Sequence, residues 1–153
     1  MKISHHLYVG ALGGLAIYSF SKSLPITAAY FFANSAIDID HIFDFFRDYG
    51  FIWNWKKFYR VCCRAEMIHY VVFFHSFELL ILVAFLLYLF RDTFAHPYIL
   101  GVFLGFSTHL ISDIIYNRGL RLKYYFIAIR SLRGFKLDEI ADPATLTKVR
   151  VHK

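Results

Sequence analysis

Nine ionisable side chains stand in strongly apolar company in this chain: His5, His6, Asp38, Asp40, His41, His75, Glu78, His109 and Asp113. Such groups are costly inside an apolar segment and are functional candidates wherever they occur. Imidazole and carboxylate without thiolate form a ligand set suited to zinc, manganese or iron. The only cysteines, Cys62 and Cys63, are adjacent and form no CxxC pair, which excludes a thiolate zinc site. A catalytic centre of this kind keeps a coordination position open and lowers the pKa of water toward about 7. The supply of up to three His and three or four carboxylates is enough for two cations.

The spacing is informative. His109 and Asp113 are i,i+4, and His75 and Glu78 are i,i+3, so each pair shares a face if its segment is helical. Gly105 and Ser112 flank His109 on that face. Gly10 and Gly13 continue the stripe from His6, and small residues let helices approach closely. Asp38-Ile39-Asp40-His41 behaves differently, because residues two apart point about 200° apart on a regular helix. Both aspartates reach one centre only if the helix ends or kinks there. Alternatively, one of them caps a short helix from about His41 to Arg47.

The elements that must position these groups follow from composition. The 153 residues are 58% hydrophobic, 20% aromatic and only 18% charged. A mean hydropathy of +0.48 makes lipid the main solvent. Apolar stretches run from Ile3 to Phe20, from Pro25 to about Phe46, from Met67 to Phe90 and from Tyr98 to Tyr116. A membrane span needs about 20 residues, so the last two fit best and the first two could form a hairpin dipping into the bilayer. The expected fold is all-α: an integral membrane bundle of about four helices over residues 1–133. A C-terminal amphipathic surface helix over Asn117–Arg133 completes it, and a polar tail follows over 134–153.

The net charge is +6, with a pI of about 9.4. The basic residues lie outside the apolar spans, so orientation and anionic headgroups account for them and nucleic acid is not an expected partner. The segment after Tyr116 holds nine basic residues, and the Arg47–Ala65 loop holds Arg47, Lys56, Lys57, Arg60 and Arg64. By the positive-inside rule both termini and that loop face the cytoplasm, as in a bacterial-type inner membrane. Trp53 and Trp55 suit an interfacial belt. Counted along helices, His75 and His109 each lie about 13 Å from the cytoplasmic ends of their segments. His6, the Asp38–His41 motif and Asp113 lie nearer that side.

Four motifs in order resemble those of the membrane-bound metal-dependent hydrolase family: Ser4-His5-His6-Leu7-Tyr8-Val9-Gly10, Asp38-Ile39-Asp40-His41, Phe74-His75-Ser76 and His109-Leu110-Ile111-Ser112-Asp113. The glycine spacing selects His6 over His5. The likeness covers Ser4 to Asp113, about 70% of the chain. Tyr70 and Val71 stand where the family often has His-Arg, and Phe74 where it has Thr. The last motif also looks like the His-x-x-x-Asp zinc ligands of zinc-dependent phospholipase C. The resemblance implies a helical fold, a zinc-type site and hydrolysis of phosphoesters.

The expected function is hydrolysis of a phosphoester in a membrane lipid or lipid-linked substrate. His6, Asp38, Asp40, His41, His75, His109 and Asp113 are the expected metal ligands, for zinc or alternatively manganese or iron. Asp38 or Glu78 is the candidate general base. His5 and His69 read as neighbours or structural residues, and His96 and His152 lie outside the site. The alternatives are a haem bundle with two axial histidines, against which the abundance of carboxylates argues, and a non-catalytic metal-binding membrane protein. The sequence does not fix an oligomeric state.

Overall fold

A computed structural model describes residues 3–51, 54–63, 66–117 and 122–141. Trp53, Arg64 and His152, which entered the reading above, lie outside these.

The chain is all-helical, with no strand among the described residues and one isolated bridge between His69 and Lys136. Helix α1 spans Ile3–Ser21 and α2 spans Leu24–Ala36, with Pro25 in its first turn, where a missing N–H costs nothing. The chain then tightens into a 3-10 turn at Ile37–Ile39 and continues as α3, Asp40–Tyr49. Gly50, at φ +76°, ends α3 in a conformation glycine adopts without strain. Helix α4 covers Trp55–Cys63, α5 Phe77–Leu89 and α6 His96–Tyr116. A 3-10 turn at Leu122–Tyr125, α7 at Ile127–Leu132 and α8 at Leu137–Ile140 complete the described chain.

Helix α2 packs on both α1 and α6, and α5 packs on α6. The approach of α2 to α6 is set by glycine. A Cβ at Gly105 would lie 2.6 Å from the Tyr30 carbonyl oxygen and 2.9 Å from Ala33 Cβ, and one at Gly101 would run into the Ile26 carbonyl. The two backbones touch, and larger residues would hold them apart. On α1, a Cβ at Gly13 would collide with the Tyr30 hydroxyl.

Two zones differ in their solvent. In the bundle, large apolar side chains point outward: Tyr8, Leu12, Leu15, Phe20, Phe32, Ile81, Phe85, Ile111 and Ile115 are exposed. An apolar surface this extensive needs lipid or a partner against it. The other zone has an ordinary buried core of Phe45, Phe58, Val61, Met67, Tyr70, Val72, Leu110, Tyr124, Tyr125, Leu137, Ile140 and Ala141. It joins α3, α4 and the C-terminal segments beneath one end of the bundle. Among the described residues, α6 alone is long and apolar enough to cross a membrane.

Several sequence expectations are corrected. The apolar run from Met67 to Phe90 is not one helix. Residues 66–76 are irregular and α5 begins only at Phe77. At 13 residues, α5 and α2 are each about 20 Å long, short of a bilayer core. The segment from Asn117 to Arg133 is no continuous surface helix. Its described part is a 3-10 turn and a short α7, with Tyr124, Tyr125 and Arg130 buried. The polar tail does not start at Gly134, because Leu137, Ile140 and Ala141 enter the core.

The irregular stretch has an identifiable cause. Asp40, Asp44 and Asp48 recur every four residues on α3 and form one carboxylate face. Asp48 accepts from the Ile68 and His69 amides at 2.7 and 3.0 Å, and lies 2.9 Å from His69 Nδ1. Asp44 accepts from the Val72 amide at 3.1 Å. Asp40 accepts from the Phe74 amide at 2.9 Å. Side-chain oxygens thus replace the helical carbonyls as acceptors along residues 68–74. Val72 is held at φ +30°, a strained backbone for a β-branched residue.

Burial pushes the Asp44 carboxyl up to about 6, so the neutral acid is easily reached. Asp44→Asn, which keeps an acceptor for the Val72 amide, is expected to leave thermal stability close to wild type. Asp44→Ala orphans that amide and is expected to cost about 1–3 kcal/mol, read as a lower melting temperature in detergent.

Candidate metal centre

Each element delivers its side chain for a local reason. Helix α1 carries His6 one turn before Gly10, so the helix comes close enough for His6 to reach inward. The 3-10 turn swings Asp38 toward the bundle. The Asp-pinned segment presents His75. Ser76 then starts α5, its hydroxyl accepting from the Leu79 amide at 3.3 Å. Helix α6 carries His109 and Asp113 on the face that meets α2.

These groups converge. His75 Nε2 and His109 Nε2 are 3.2 Å apart. Asp38 Oδ1 lies 3.3 Å from the first and 3.5 Å from the second. Asp113 Oδ2 lies 3.4 and 3.5 Å from the same two nitrogens. His6 Nε2 adds a further ligand atom, 3.3 Å from Asp113 Oδ1 and 4.0 Å from Asp38 Oδ2. The His6 ring stacks on that of His109 with centroids 3.8 Å apart. His41 Nε2 lies 3.8 Å from Asp38 Oδ1 at the edge of the group. Three overlapping sets, His6–Asp38–His109, Asp38–His41–His75 and His75–His109–Asp113, each have ligand atoms within 4.8 Å of one another.

The tautomers follow from the outer contacts. His109 Nδ1 lies 2.7 Å from the Asn34 carbonyl oxygen, which only accepts, so Nδ1 carries a proton and, in the neutral ring, Nε2 keeps a lone pair. His75 Nδ1 lies 3.1 Å from Asp40 Oδ2, which fixes that ring the same way. Carboxylate or carbonyl behind an imidazole is the arrangement that orients metal-binding histidines. With both rings neutral, two lone pairs and two carboxylate oxygens lie together with no proton between them. That is an unfavourable arrangement for the protein alone and a favourable one for a cation. Four ligands at 2.0–2.1 Å in tetrahedral array lie about 3.3 Å apart. The five separations given above, 3.2, 3.3, 3.5, 3.4 and 3.5 Å, cluster around that value.

Of the residues singled out from sequence, His6, Asp38, His75, His109 and Asp113 come together and His41 flanks them. Asp40 stands behind His75 rather than beside its Nε2. The expected kink appears as the 3-10 turn, and it lets Asp38 and Asp40 grip opposite nitrogens of one imidazole. Glu78 is elsewhere. With His75 off the helix, the two do not share a face, and Glu78 accepts from the Ile127 and Ala128 amides at 3.1 and 3.0 Å. Glu78→Gln is therefore expected to leave bound metal unchanged in elemental analysis while loosening α7. His69 pairs with Asp48 and His5 is exposed, as expected from sequence.

Sequence reasoning missed Asn34 and Asp44. Asn34 is fully buried, its carbonyl receives His109 and its amide lies 3.0 Å from Thr108 Oγ1. Turned so that its nitrogen donates, the same amide reaches the His6 carbonyl at 3.0 Å. The signal was its position four residues before Asp38, and for Asp44 four residues after Asp40.

Neither the curated proteins nor the solved structures searched give a match to this chain. A family model described as YdjM inner membrane protein matches residues 1–137, nearly the whole described fold and every residue of the centre, so the chain belongs to the YdjM inner membrane protein family.

Proposed function

We propose that this protein is a membrane-embedded metal-dependent hydrolase that cleaves a phosphoester of a lipid or lipid-linked substrate. The observation that carries the reading is the set of His75, His109, Asp38 and Asp113 ligand atoms, in which each imidazole Nε2 lies 3.2–3.5 Å from the other and from both carboxylates. Those four would hold the cation, with His6 and His41 as flanking ligands. Their spacing favours zinc, and their chemistry also accepts manganese or iron. The cation supplies a Lewis acid and activates water near neutral pH.

The chain's own residues do the rest. Asp40 and the Asn34 carbonyl keep the two imidazoles in the metal-binding tautomer. Asp38, the least buried of the central ligands at 15% exposure, is the candidate general base. The basic residues of the α3–α4 side would hold that face against anionic headgroups in the cytoplasmic leaflet.

The expected result is metal-dependent hydrolysis by protein in lipid nanodiscs, read as released phosphate from a phosphomonoester lipid or as released alcohol and phosphomonoester from a phosphodiester lipid. Asp38→Asn should lower it by at least about 100-fold. Full metal occupancy without hydrolysis of either class would contradict the reading. One observation favours a second reading, a non-catalytic metal centre: His6, His75 and His109 are at most 2% exposed. The same assay separates the two. A haem bundle is disfavoured because imidazole nitrogens 3.2 Å apart leave no room for a porphyrin between them.

A further inference from the structure

Arg130 is the largest fully buried side chain in the described protein, at 0% exposure. All three of its guanidinium nitrogens lack a hydrogen-bond partner. A buried charge without partners costs several kcal/mol, and a chain retains one where something supplies the missing acceptors. The charged and titratable groups facing it are known. Asp40 and Asp44 come from α3, Glu78 from α5 and Tyr124 from the preceding turn. None of them hydrogen-bonds it. The oxygens of Glu78 are taken by the Ile127 and Ala128 amides, and Asp40 and Asp44 give their Oδ2 atoms to the Phe74 and Val72 amides, while Asp40 Oδ1 has no partner.

The guanidinium is also tied to the centre by a chain of ring contacts. Arg130 Cζ sits 5.3 Å from the Tyr124 ring centroid. Tyr124 meets Tyr70 at 6.1 Å, and Tyr70 meets the His41 ring at 6.3 Å. The Tyr70 side chain on this path is buried. The unsatisfied guanidinium therefore lies behind the flank of the centre marked by His41, linked to it through two tyrosine rings. Five N–H groups in a planar fork match the oxygens of a phosphoryl group better than any other common ligand.

We infer that Arg130 is the anion-docking group of the site: it binds the phosphoryl oxygens of the ligand beside the His41 edge of the metal centre. This rests on the metallohydrolase reading for its place in a reaction, but the binding itself is tested separately. A stacked position over Tyr124 holds the fork in one plane, and the Glu78 carboxylate holds the start of α7 in place. Glu78 is thus a positioning residue for Arg130.

The test uses the full chain in detergent micelles, with and without added zinc. Inorganic phosphate is one probe, and phosphatidic acid in phosphatidylcholine vesicles, against phosphatidylcholine alone, is the other. The readouts are the rise in melting temperature with ligand concentration and metal per chain by elemental analysis. Wild type is expected to bind, Arg130→Gln to weaken binding at least about tenfold, and Arg130→Lys to recover part of it, all with unchanged metal. Phosphate binding without phosphatidic acid binding assigns the site to free phosphate, and binding of both assigns it to a headgroup.

The inference is overturned if wild type gains no stability from either probe, or if Arg130→Gln binds as wild type does. It is also overturned if Arg130→Gln loses metal and anion together, because Arg130 would then support the centre rather than the ligand. Should Arg130→Gln fail to fold, Arg130→Lys decides: binding weakened upholds the inference and binding unchanged refutes it. A metal-free protein that still binds phosphate through Arg130 would sink the hydrolase reading alone.

Discussion

His109→Ala is expected to empty the metal centre while leaving the fold in place. His109 Nε2 lies within 3.5 Å of His75, Asp38 and Asp113 ligand atoms, so it takes part in three of the five close pairings at the heart of the group. Its removal also unstacks His6, whose ring rests on it at 3.8 Å. Losing even an outer partner of a metal ligand typically costs 10–100-fold in affinity, so loss of this ligand is expected to cost more than about 100-fold. Asp40→Asn probes the outer partner itself, by weakening the orientation of His75, and is expected within that 10–100-fold range. His41→Ala, at the flank, is expected to do least. Metal titration of the three variants checks the order, and equal affinities would show that the residues do not act as one centre.

Gly105→Val is expected to disrupt the bundle. The new Cβ would sit 2.6 Å from the Tyr30 carbonyl oxygen and 3.0 Å from the Asn34 amide nitrogen, both backbone atoms of α2 that cannot step aside. Overpacking commonly costs 1–3 kcal/mol, and a backbone clash belongs at or above the top of that range. For a chain of this size that is a fall of about 10 °C in melting temperature. Metal binding should fall with it, because α2 carries both the carbonyl that orients His109 and the turn that carries Asp38. Gly10→Ala is expected to be milder, since its Cβ would meet the Asn34 side chain at 2.9 Å rather than backbone. A Gly105→Val protein that melts like wild type and binds metal would show that α2 and α6 need not touch.

Much of the centre was legible because ligand chemistry is local. His6, Asp38, His75, His109 and Asp113 stand out as polar residues in apolar segments, and the two-residue spacing of Asp38 and Asp40 forced a break in the helix. What could not be read was the path of the chain around them. The stretch from Met67 to Phe74 is nearly as apolar as a helix interior, so hydropathy joined it to α5. Its true conformation depends on carboxylates from α3, at least 20 residues away in sequence. The basic residues after Tyr116 looked alike on paper, yet Arg130 turns inward, onto Tyr124, while Arg133 and Lys136 are exposed. Burial of a single arginine leaves no periodicity to detect. Asp40, Asp44 and Asp48 were the missed signal, because one acidic face on a short helix implies donors opposite it.

Elemental analysis of the full chain, purified in detergent without chelator and then dialysed against zinc or manganese, bears most directly on the centre. About one or two equivalents of transition metal per chain are expected, falling to background in His109→Ala. A folded wild-type chain that carries no metal after either dialysis would contradict it.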